Sequence, residues 1–525
     1  MPVIAQILKA AGAPRRARPL PAWPSLAFIG LTAFFATAVL ASFADAIELW
    51  TPIAVAALPL VLASAAWVGG GAATSVIGLF TPRTPRARAE TDRRLAGQTA
   101  ILVALCGEDP EPIARYLAEL RHNMDRWEDG CKIEIFVLSD TPDGPRSARE
   151  TAALAPLHEA SAITYRRRRQ NSGRKPGNIA EWVARSGDRF DYMLVLDADS
   201  RMSAARIGRM ILQLENSPRT GLLQAGIGLV PGHTRFGRHQ RIAARLLSPI
   251  FVRGFASWTG SAGNYWGHNA LIRVAAFRAA VPLPRLSGKA PLGGQILSHD
   301  FVEAAFIRRA GWDVRLDAEL PGSAEDAPQT LEAFHRRDRR WCQGNLQHLR
   351  LLAVPGLHTG SRFHLASGAF SYLAAPIWLA LVTMAATGAL AVNSPLPFLL
   401  VALLLLLPKV CALWASLVPS RSWARRGILL RAAGGELLAS ALLAPLVMVR
   451  QTGAVLSVLA GQDCGWKSGR DNSPGLRDGW YEALVGAGLS TIALAVGTSS
   501  ALWLAPMLLP LLFAPLLVNY FDGVA

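Results

Sequence analysis

The sequence predicts a multi-pass α-helical membrane protein with an α/β domain inserted between its membrane segments. Hydrophobic residues make up 51% of the 525 residues and charged residues only 17%, an apolar content typical of membrane proteins. The apolar runs are concentrated in two blocks, 25–80 and 366–518, whereas 95–350 has the composition of a globular domain. Runs of about 20 apolar residues are long enough to cross a bilayer as helices.

The basic residues follow the membrane boundaries. The net charge is +17; arginines at 15–18 precede the first block, and five more follow it at 83–94. The connector between the first two spans carries Asp45 and Glu48 and neither Lys nor Arg. Excess positive charge marks cytoplasmic segments, so we expect a cytoplasmic leader (1–24) and a cytoplasmic central domain. The same placement argues against nucleic acid as a partner.

The second membrane block is expected to hold five or six helices, with cytoplasmic loops near 420–435 and 462–483. Segments 366–392 and 397–418 read as a hairpin with an uncharged connector. Segment 436–461 is interrupted by a proline and an Arg-Gln pair, so it fits two spans, one span or interfacial helices. With two helices in 25–80, the total expected is seven or eight.

The central domain alternates strands with helices. Thr99–Leu105 is a continuous apolar run typical of a buried parallel strand, and a helical stretch follows at Pro112–Trp127. A second strand is predicted at Ile133–Leu138 and a third at Tyr192–Leu196. This alternation predicts an α/β domain with a mostly parallel sheet.

Two carboxylates, Asp197 and Asp199, follow the third predicted strand directly. The carboxyl end of a buried parallel strand is where α/β proteins form ligand sites. Two hard oxygen ligands there suit Mg²⁺ or Mn²⁺, and such a metal commonly holds a diphosphate. The alternative is a pair of solvated turn residues.

Further residues at the same edge of the sheet carry candidate chemistry. Asp140 follows the second strand and fits either a base or ribose contact or a turn residue. Lys175 lies where Gly177 and Asn178 open a helix, so a phosphate would meet a cation and free N–H groups. The arginine run 166–169 is interpreted as cytoplasmic or lipid-facing charge.

Two motifs lie nearer the second membrane block. Asp300, after His299, begins a helix and is either an N-cap or a general base for a hydroxyl. Arg340 and Trp341 fit a bidentate contact to a diphosphate and an aromatic face for a sugar. A lipid-headgroup anchor is the other interpretation of this arginine-rich stretch.

Together these motifs resemble the processive glycosyltransferases of family 2, which include cellulose and hyaluronan synthases. The shared order is D-A-D, then H-D, then R-x-x-R-W before transmembrane helices; family members usually have Gln where this chain has Arg337. Longer stretches resemble one subfamily, the osmoregulated periplasmic glucan glucosyltransferases. These stretches are 165–169, 195–200, 265–270, 297–305, 308–312 and 337–346.

The resemblance implies an inverting glucosyltransferase of GT-A type in a Gram-negative inner membrane. Such an enzyme uses UDP-glucose and Mg²⁺ or Mn²⁺ to build a β-linked glucan, with β-1,2 links in the backbone, and passes it to the periplasm. The roles implied are donor binding by Glu108, Asp140, Lys175 and Asp197, metal binding by Asp199, and catalysis by Asp300, Arg340 and Trp341. Acceptor or supporting roles fall to Gly267, His268, Asn269, His299 and Arg337. The family's usual Asn-Glu pair is Gly107-Glu108 here.

The partners implied are UDP-glucose, the growing glucan, membrane lipids, periplasmic glucan-modifying proteins and a carrier protein. Three rival functions remain: a cellulose-like synthase, a non-processive transferase acting on a lipid carrier, and a catalytically dead scaffold or transporter. The hypothesis of a catalytically dead protein predicts that a catalytic carboxylate has been lost. Asp197, Asp199 and Asp300 are all present.

Overall fold

The computed structural model describes residues 18–82, 94–281, 283–464, 479–497 and 501–524. Most of the predicted leader, the basic segment 83–93 and residues 465–478 of the predicted loop 462–483 lie outside these described residues.

The strands of the central domain form two sheets. They are β1 (Thr99–Leu105), β2 (Ile133–Ser139), β3 (Thr164–Arg167), β4 (Tyr192–Asp197), β5 (Arg201–Met202), β6 (Thr220–Ala225), β7 (Gly228–Leu229), β8 (Ala270–Arg273), β9 (Asp313–Asp317) and β10 (Ser323–Glu325). The large sheet has the order β3-β2-β1-β4-β8-β6-β9, and the small one has the order β5-β10-β7.

The large sheet is parallel from β3 to β4, and β8 is inserted antiparallel between β4 and β6. Strand β3 was not predicted from the sequence, because its residues, Thr-Tyr-Arg-Arg, lack the apolar run that marks a buried strand. It is an edge strand with partly exposed side chains, so burial imposes no apolar pattern on it. Strands β1, β2 and β4 are buried on both faces between two apolar clusters, which explains their uninterrupted apolar runs.

Helices cover both faces of the sheet. Those of the domain are α3 (Pro110–Asp125), α4 (Pro145–Glu159), α5 (Arg174–Ser186), α6 (Ala204–Glu215), α7 (Arg235–Thr259), α8 (Val274–Arg278), α9 (His299–Arg309) and α10 (Leu331–His348). The first predicted helix is present two residues earlier than expected, since Pro110 occupies its first turn and fits there without a backbone donor.

The apolar helices flank this domain in the chain. They are α1 (Ala22–Asp45) and α2 (Pro52–Phe80) before it, and α11 (Thr359–Ala386), α12 (Leu396–Leu417), α13 (Trp423–Leu459), α14 (Trp480–Val496), α15 (Ala501–Leu512) and α16 (Ala514–Asp522) after it. Within the described ranges, five are long and apolar enough to cross a membrane, or six if the bent pair α15–α16 counts as one span. This is fewer than the seven or eight expected from hydropathy.

The second membrane block differs from the prediction at α13. Residues 423–435 were expected in a loop but begin a 37-residue helix, whose N-cap Ser422 accepts a hydrogen bond from the Arg425 N–H. Pro445 lies inside this helix without ending it. The buried ion pair of Arg450 with Glu482 joins α13 to α14, and such tertiary contacts override a local interruption of the apolar pattern.

The domain is anchored to the first membrane block where α2 crosses α7. A Cβ added to Gly78 would lie 2.0 Å from the carbonyl oxygen of Ile250, and one added to Gly254 would lie 1.9 Å from that of Thr74. Only glycines allow backbones to approach this closely. Arg253 also donates from Nε to the Gly78 carbonyl oxygen at 2.8 Å.

Candidate active site

A cleft of about 1380 Å³ opens at the carboxyl ends of the parallel strands and extends to α11. Twelve of the thirteen residues predicted from the sequence line it: Glu108, Asp140, Lys175, Asp197, Asp199, Gly267, His268, His299, Asp300, Arg337, Arg340 and Trp341. Residues separated by more than two hundred positions in the chain therefore share one cavity, as α/β topology requires of a ligand site.

Asn269 has a different position. It is fully buried with a φ of +51°. Its Nδ2 donates hydrogen bonds to Ser323 Oγ at 3.0 Å and to the Ala324 carbonyl oxygen at 3.3 Å. Asn269 therefore ties the turn before β8 to strand β10, a supporting position rather than one in the cleft.

Lys175 and Asp197 form an ion pair at the base of the cleft. Lys175, in the first turn of α5 as predicted, also donates to the Gly267 carbonyl oxygen at 2.7 Å. Burial alone would raise the pKa of Asp197, but the neighbouring Lys175 and His268 outweigh burial and lower it. Asp197 is thus an anion whose charge is already partly matched by protein.

Asp199 lies at the exposed side of the cleft, in a negative environment. Desolvation in the cleft, together with the charges of Asp197 and Glu325, raises the pKa of this carboxyl group. Among the described residues, neither Lys nor Arg forms an ion pair with Asp199. Neighbouring carboxylates repel one another unless a cation lies near them, so this position fits a bound cation.

His268 lies between these carboxylates and strand β10. Its Nε2 is 2.9 Å from Glu325 Oε2. Burial alone would lower the pKa of His268, but the hydrogen bond to Glu325 and the charge of Asp197 raise it to about 9. The imidazole is therefore a cation at neutral pH, adjacent to the Asp197–Asp199 pair.

Asp140 is held by Arg168, a residue of the arginine run at the edge of the sheet. The guanidinium donates from Nε to Oδ1 at 2.7 Å and from Nη2 to Oδ2 at 2.9 Å. Both side chains are buried. The interpretation of this run as cytoplasmic or lipid-facing charge was wrong for Arg168, because a bidentate pair fixes it inside the domain.

Glu108 follows β1, the strand next to β2, which Asp140 follows. Its carboxylate accepts a hydrogen bond from the Cys106 N–H at 2.5 Å. Burial and the charges of Asp197 and Glu150 raise the pKa of Glu108. Glu108 and Asp140 thus present two acceptors at the end of the cleft formed by β1 and β2.

Asp300 lies in the first turn of α9, and a Cβ added to Gly267 would lie 2.7 Å from its Oδ2. The N-cap of α9 is Ser298, which rules out the interpretation of Asp300 as an N-cap. Oδ1 of Asp300 is buried and accepts no hydrogen bond from any described residue. The side chain as a whole is 24% exposed and lines the cleft, where it can face a ligand.

His299 and Glu303 accompany Asp300 on α9. His299 Nδ1 lies 3.0 Å from Asp300 Oδ1 and 3.0 Å from Glu303 Oε1. Glu303 was missed in the sequence, although the spacing of four residues from His299 places both on one face of a helix. Because ionised carboxylates only accept hydrogen bonds, we assign the contact with Glu303 to a hydrogen bond donated by Nδ1–H, and the contact with Asp300 to charge.

Helix α10 carries the R-x-x-R-W motif along the cleft. The Arg337 guanidinium lies 4.5 Å from the centre of the Trp341 ring, which stays 46% exposed. Asp338, between them and facing away, accepts hydrogen bonds from Tyr372 of α11 at 3.1 Å and from Gln451 of α13 at 3.0 Å. The motif is thus fastened to two apolar helices and leaves the indole face open.

The last turns of α10 hold the segment that leads to Asp300. Gln347 accepts from the Leu297 N–H at 3.0 Å, and His348 Nε2 lies 2.7 Å from the Ser298 carbonyl oxygen. A Cβ on Gly344 would lie 2.2 Å from Ser298 Oγ and 2.6 Å from the Ser298 nitrogen. The position of Asp300 therefore depends on α10, which no sequence pattern indicated.

Comparisons with known proteins match this arrangement to a family. Residues 192–418 match glycosyl transferase family group 2, and residues 100–280 match glycosyl transferase family 2. The chain is 36% identical over 501 residues to the glucans biosynthesis glucosyltransferase H of Vibrio cholerae, covering 88% of this chain and 70% of that protein. It is 37% identical over 499 residues to the protein of that name from Cereibacter sphaeroides, covering 87% and 83%.

Solved structures give a more distant likeness. A mannosyltransferase from Pyrobaculum calidifontis, in complex with GDP-Man and Mn²⁺, aligns over 77% of this chain and 97% of its own at 14% identity, with a TM-score of 0.44.

Proposed function

Because this chain belongs to the glucans biosynthesis glucosyltransferases H of glycosyl transferase family 2, we propose that it transfers glucose from UDP-glucose to a growing β-linked glucan. The observation that carries the proposal is the single cleft that joins the Asp197–Asp199 pair, Asp300 and the Arg340-Trp341 pair. A β-1,2 backbone and an inverting, processive course are part of the proposal, as is a Gram-negative inner membrane with the domain in the cytoplasm.

The donor is assigned to the strand-end side of the cleft. Glu108 and Asp140 contact the uridine, with Asp140 oriented by Arg168 at 2.7 and 2.9 Å. Lys175 and the protonated His268 supply positive charge where a diphosphate binds, and Asp197 contacts the donor sugar nucleotide. These charged side chains orient the donor before reaction, which lowers the entropic part of the activation barrier.

Asp199 is the residue that would hold a Mg²⁺ or Mn²⁺ ion. Its raised pKa and its lack of an ion pair with Lys or Arg among the described residues fit a hard cation bound there with the diphosphate. When bound, such a metal neutralises negative charge on the diphosphate.

Asp300 is the general base in one in-line displacement. It accepts the proton of the acceptor hydroxyl as that oxygen bonds to the anomeric carbon. The bond from this carbon to the diphosphate oxygen breaks, and its electron pair leaves with UDP. Proton acceptance by a positioned carboxylate contributes typically about 10²–10⁴-fold in rate.

Arg340 and Trp341 serve the leaving group and the acceptor. The guanidinium of Arg340 neutralises charge that develops on UDP as the bond breaks, an interaction that raises turnover. The open face of Trp341 stacks on the acceptor sugar, and Arg337 supports this ring from 4.5 Å.

The proposal that the glucan is also exported rests on the helix that the cleft reaches. Its lining includes Gly368, Ser371 and Tyr372 of α11, one of the helices long enough to cross a membrane. A chain extended beside Trp341 is therefore next to an apolar helix that carries polar side chains. We include coupled synthesis and translocation in the proposal on this ground.

The rival within the family is a synthase that makes another polymer, and donor competition distinguishes the two. The purified protein in nanodiscs, with Mg²⁺, is given labelled UDP-glucose, UDP-N-acetylglucosamine or GDP-mannose, and the product is analysed by methylation. We expect polymer from UDP-glucose alone, with 2-linked glucose dominant. Preference for another donor, or a 4-linked product, would support the cellulose-like alternative. Donor binding without any transfer would support the dead scaffold.

A further inference from the structure

A buried carboxylate and a histidine lie next to the proposed base on α9. Glu303 is 3% exposed and accepts a hydrogen bond from His299 Nδ1 at 3.0 Å. The same nitrogen lies 3.0 Å from Oδ1 of Asp300. Burying a carboxylate is costly unless a cation accompanies it. The arrangement therefore favours an imidazolium placed between two carboxylates.

We propose that His299 and Glu303 are positioning residues for Asp300. Glu303 fixes the ring of His299 through Nδ1–H, and the charged ring holds the Asp300 carboxylate toward the acceptor side of the cleft. Asp300 remains the group that takes the proton, and His299 and Glu303 act through it. This inference rests on the proposed function.

The other groups that face Asp300 do not supply this charge. Lys175 of α5 is paired with Asp197 of β4 and donates to a carbonyl oxygen. Burial lowers the pKa of His348 on α10 to about 4, so that ring is neutral near pH 7. Burial raises the pKa of Tyr265, so its hydroxyl is neutral too. The charge of Lys175 still acts on Asp300 from beyond contact distance, whereas His299 is the cation in contact with Asp300.

Electrostatics favour the charged form of His299. Burial alone would lower the pKa of His299, but the charges of Asp300 and Glu303 outweigh burial and raise it. Burial and the charge of Asp300 also raise the pKa of Glu303, although His299 acts to lower it. The raised pKa of His299 means that its imidazolium persists to higher pH than that of a free histidine and is lost as the pH rises. Removing the charge of Glu303 withdraws one of the two anions that stabilise it.

The test is the pH profile of glucose transfer by Glu303→Gln and His299→Asn in nanodiscs. Both substitutions keep a hydrogen-bonding side chain of similar size, and neither retains the charged pair. We expect kcat near pH 7 to fall by about tenfold, a part of what a general base supplies, with KM for UDP-glucose unchanged within twofold. The alkaline limb of the profile should move to lower pH in Glu303→Gln, because the imidazolium of His299 then has one anion fewer to stabilise it.

Glu215→Gln is the matched control. Its carboxylate accepts hydrogen bonds from the Ala96 and Gly97 N–H groups at 2.9 and 3.0 Å, outside the cleft, so its loss should leave the pH profile in place. Slower transfer by Glu303→Gln with an unshifted alkaline limb would mean that the pair only contributes packing, and would overturn the inference. A higher Mg²⁺ requirement with the same limb would overturn it too, since that is the behaviour of a metal ligand. Wild-type protein that transfers no glucose would contradict the proposed function itself, and the inference would fall with it.

Discussion

At the residue scale, the carboxylates of the cleft differ in their ion-pair partners. Asp197 is paired with Lys175, Asp140 with Arg168, and Asp199 with neither Lys nor Arg in the described part of the chain. Neighbouring carboxylates with different partners have different charge states and affinities. This difference supports the proposal that Asp199 binds the cation and Asp197 contacts the donor.

The substitution Asp199→Ala tests that assignment. We expect the affinity for UDP in the presence of Mg²⁺ to fall by about tenfold or more, since even residues around a metal ligand commonly change affinity by 10–100-fold. Without Mg²⁺, the variant and the wild type should bind UDP alike. Calorimetric titration with UDP, with and without Mg²⁺, measures both.

Asp143→Ala is the control for this experiment, because it removes an exposed carboxylate that pairs with Arg167 at 2.6 Å. It should leave UDP binding as in the wild type. Unchanged Mg²⁺-dependent UDP affinity in Asp199→Ala would remove Asp199 from the metal site.

The sequence indicated twelve residues of the cleft because several follow a strand or begin a helix, where local patterns are readable, and the others, such as Arg340 and Trp341 inside α10, belong to recognisable motifs. It did not indicate Arg168, Glu303 or Glu325. Their roles depend on partners brought together by the fold, and a lone charged residue in a helix or edge strand reads as surface charge. Asn269 belongs to a recognised motif too, but its buried side chain takes the supporting position of its two predicted roles.

At the element scale, α10 links the chemistry to the apolar helices. One face carries Arg337 and Trp341, and another holds the segment before Asp300 through Gln347 and His348. A displacement of this helix would move the proposed base and the proposed acceptor platform together. That coupling is a property of the packing of α10, not of any single side chain in the motif.

Gly344→Ala tests this packing. Its Cβ would lie 2.6 Å from the Ser298 backbone nitrogen, so the segment before Asp300 must shift. Overpacking of this kind costs typically about 1–3 kcal/mol. We expect a lower melting temperature and a fall in kcat of at least about tenfold, because a small misplacement of a reacting group lowers the rate by a large factor.

Gly434→Ala offers a comparison within the same chain. This glycine lies in helix α13 with no atom within 4 Å of an added Cβ, so alanine there should keep or slightly raise stability. Equal effects of the two substitutions on kcat would mean that the contact of α10 with Ser298 does not position Asp300.

The elements themselves were predicted unevenly. The long apolar helices and buried strands were found because burial on all sides imposes an uninterrupted apolar pattern. Strand β3 was missed because an edge strand is free of that pattern, and α13 was broken into parts because Pro445 and Arg450 interrupt hydropathy without ending a helix. In α13, the buried partner of Arg450 is Glu482, which lies in another helix.

At the scale of the whole molecule, a catalytic cleft and a set of apolar helices share one cavity. The cleft reaches Ser371 and Tyr372, and the close crossing of α2 with α7 fixes the domain against the first membrane block. If polymer is made at Trp341 as proposed, it forms in the same cleft that this apolar helix lines. The arrangement therefore favours synthesis and export by one polypeptide.

Sealed vesicles test the coupling. Protein is reconstituted in one orientation, with UDP-glucose and Mg²⁺ only on the side of the α/β domain, and the polymer on each side is assayed with a glucanase that does not cross the membrane. We expect a protected fraction in the opposite compartment that grows with synthesis. Polymer that stays wholly on the donor side would contradict export by this chain and leave the transfer reaction intact.

The most direct test of the account compares wild-type protein with Asp300→Asn in nanodiscs. Labelled glucose from UDP-glucose is followed into polymer with Mg²⁺ present, and UDP binding is measured on the same samples. The account predicts polymer from the wild type, a loss of about 10²-fold or more in Asp300→Asn, and equal UDP affinity for both. Full activity in Asp300→Asn would contradict the assignment of Asp300 as the base.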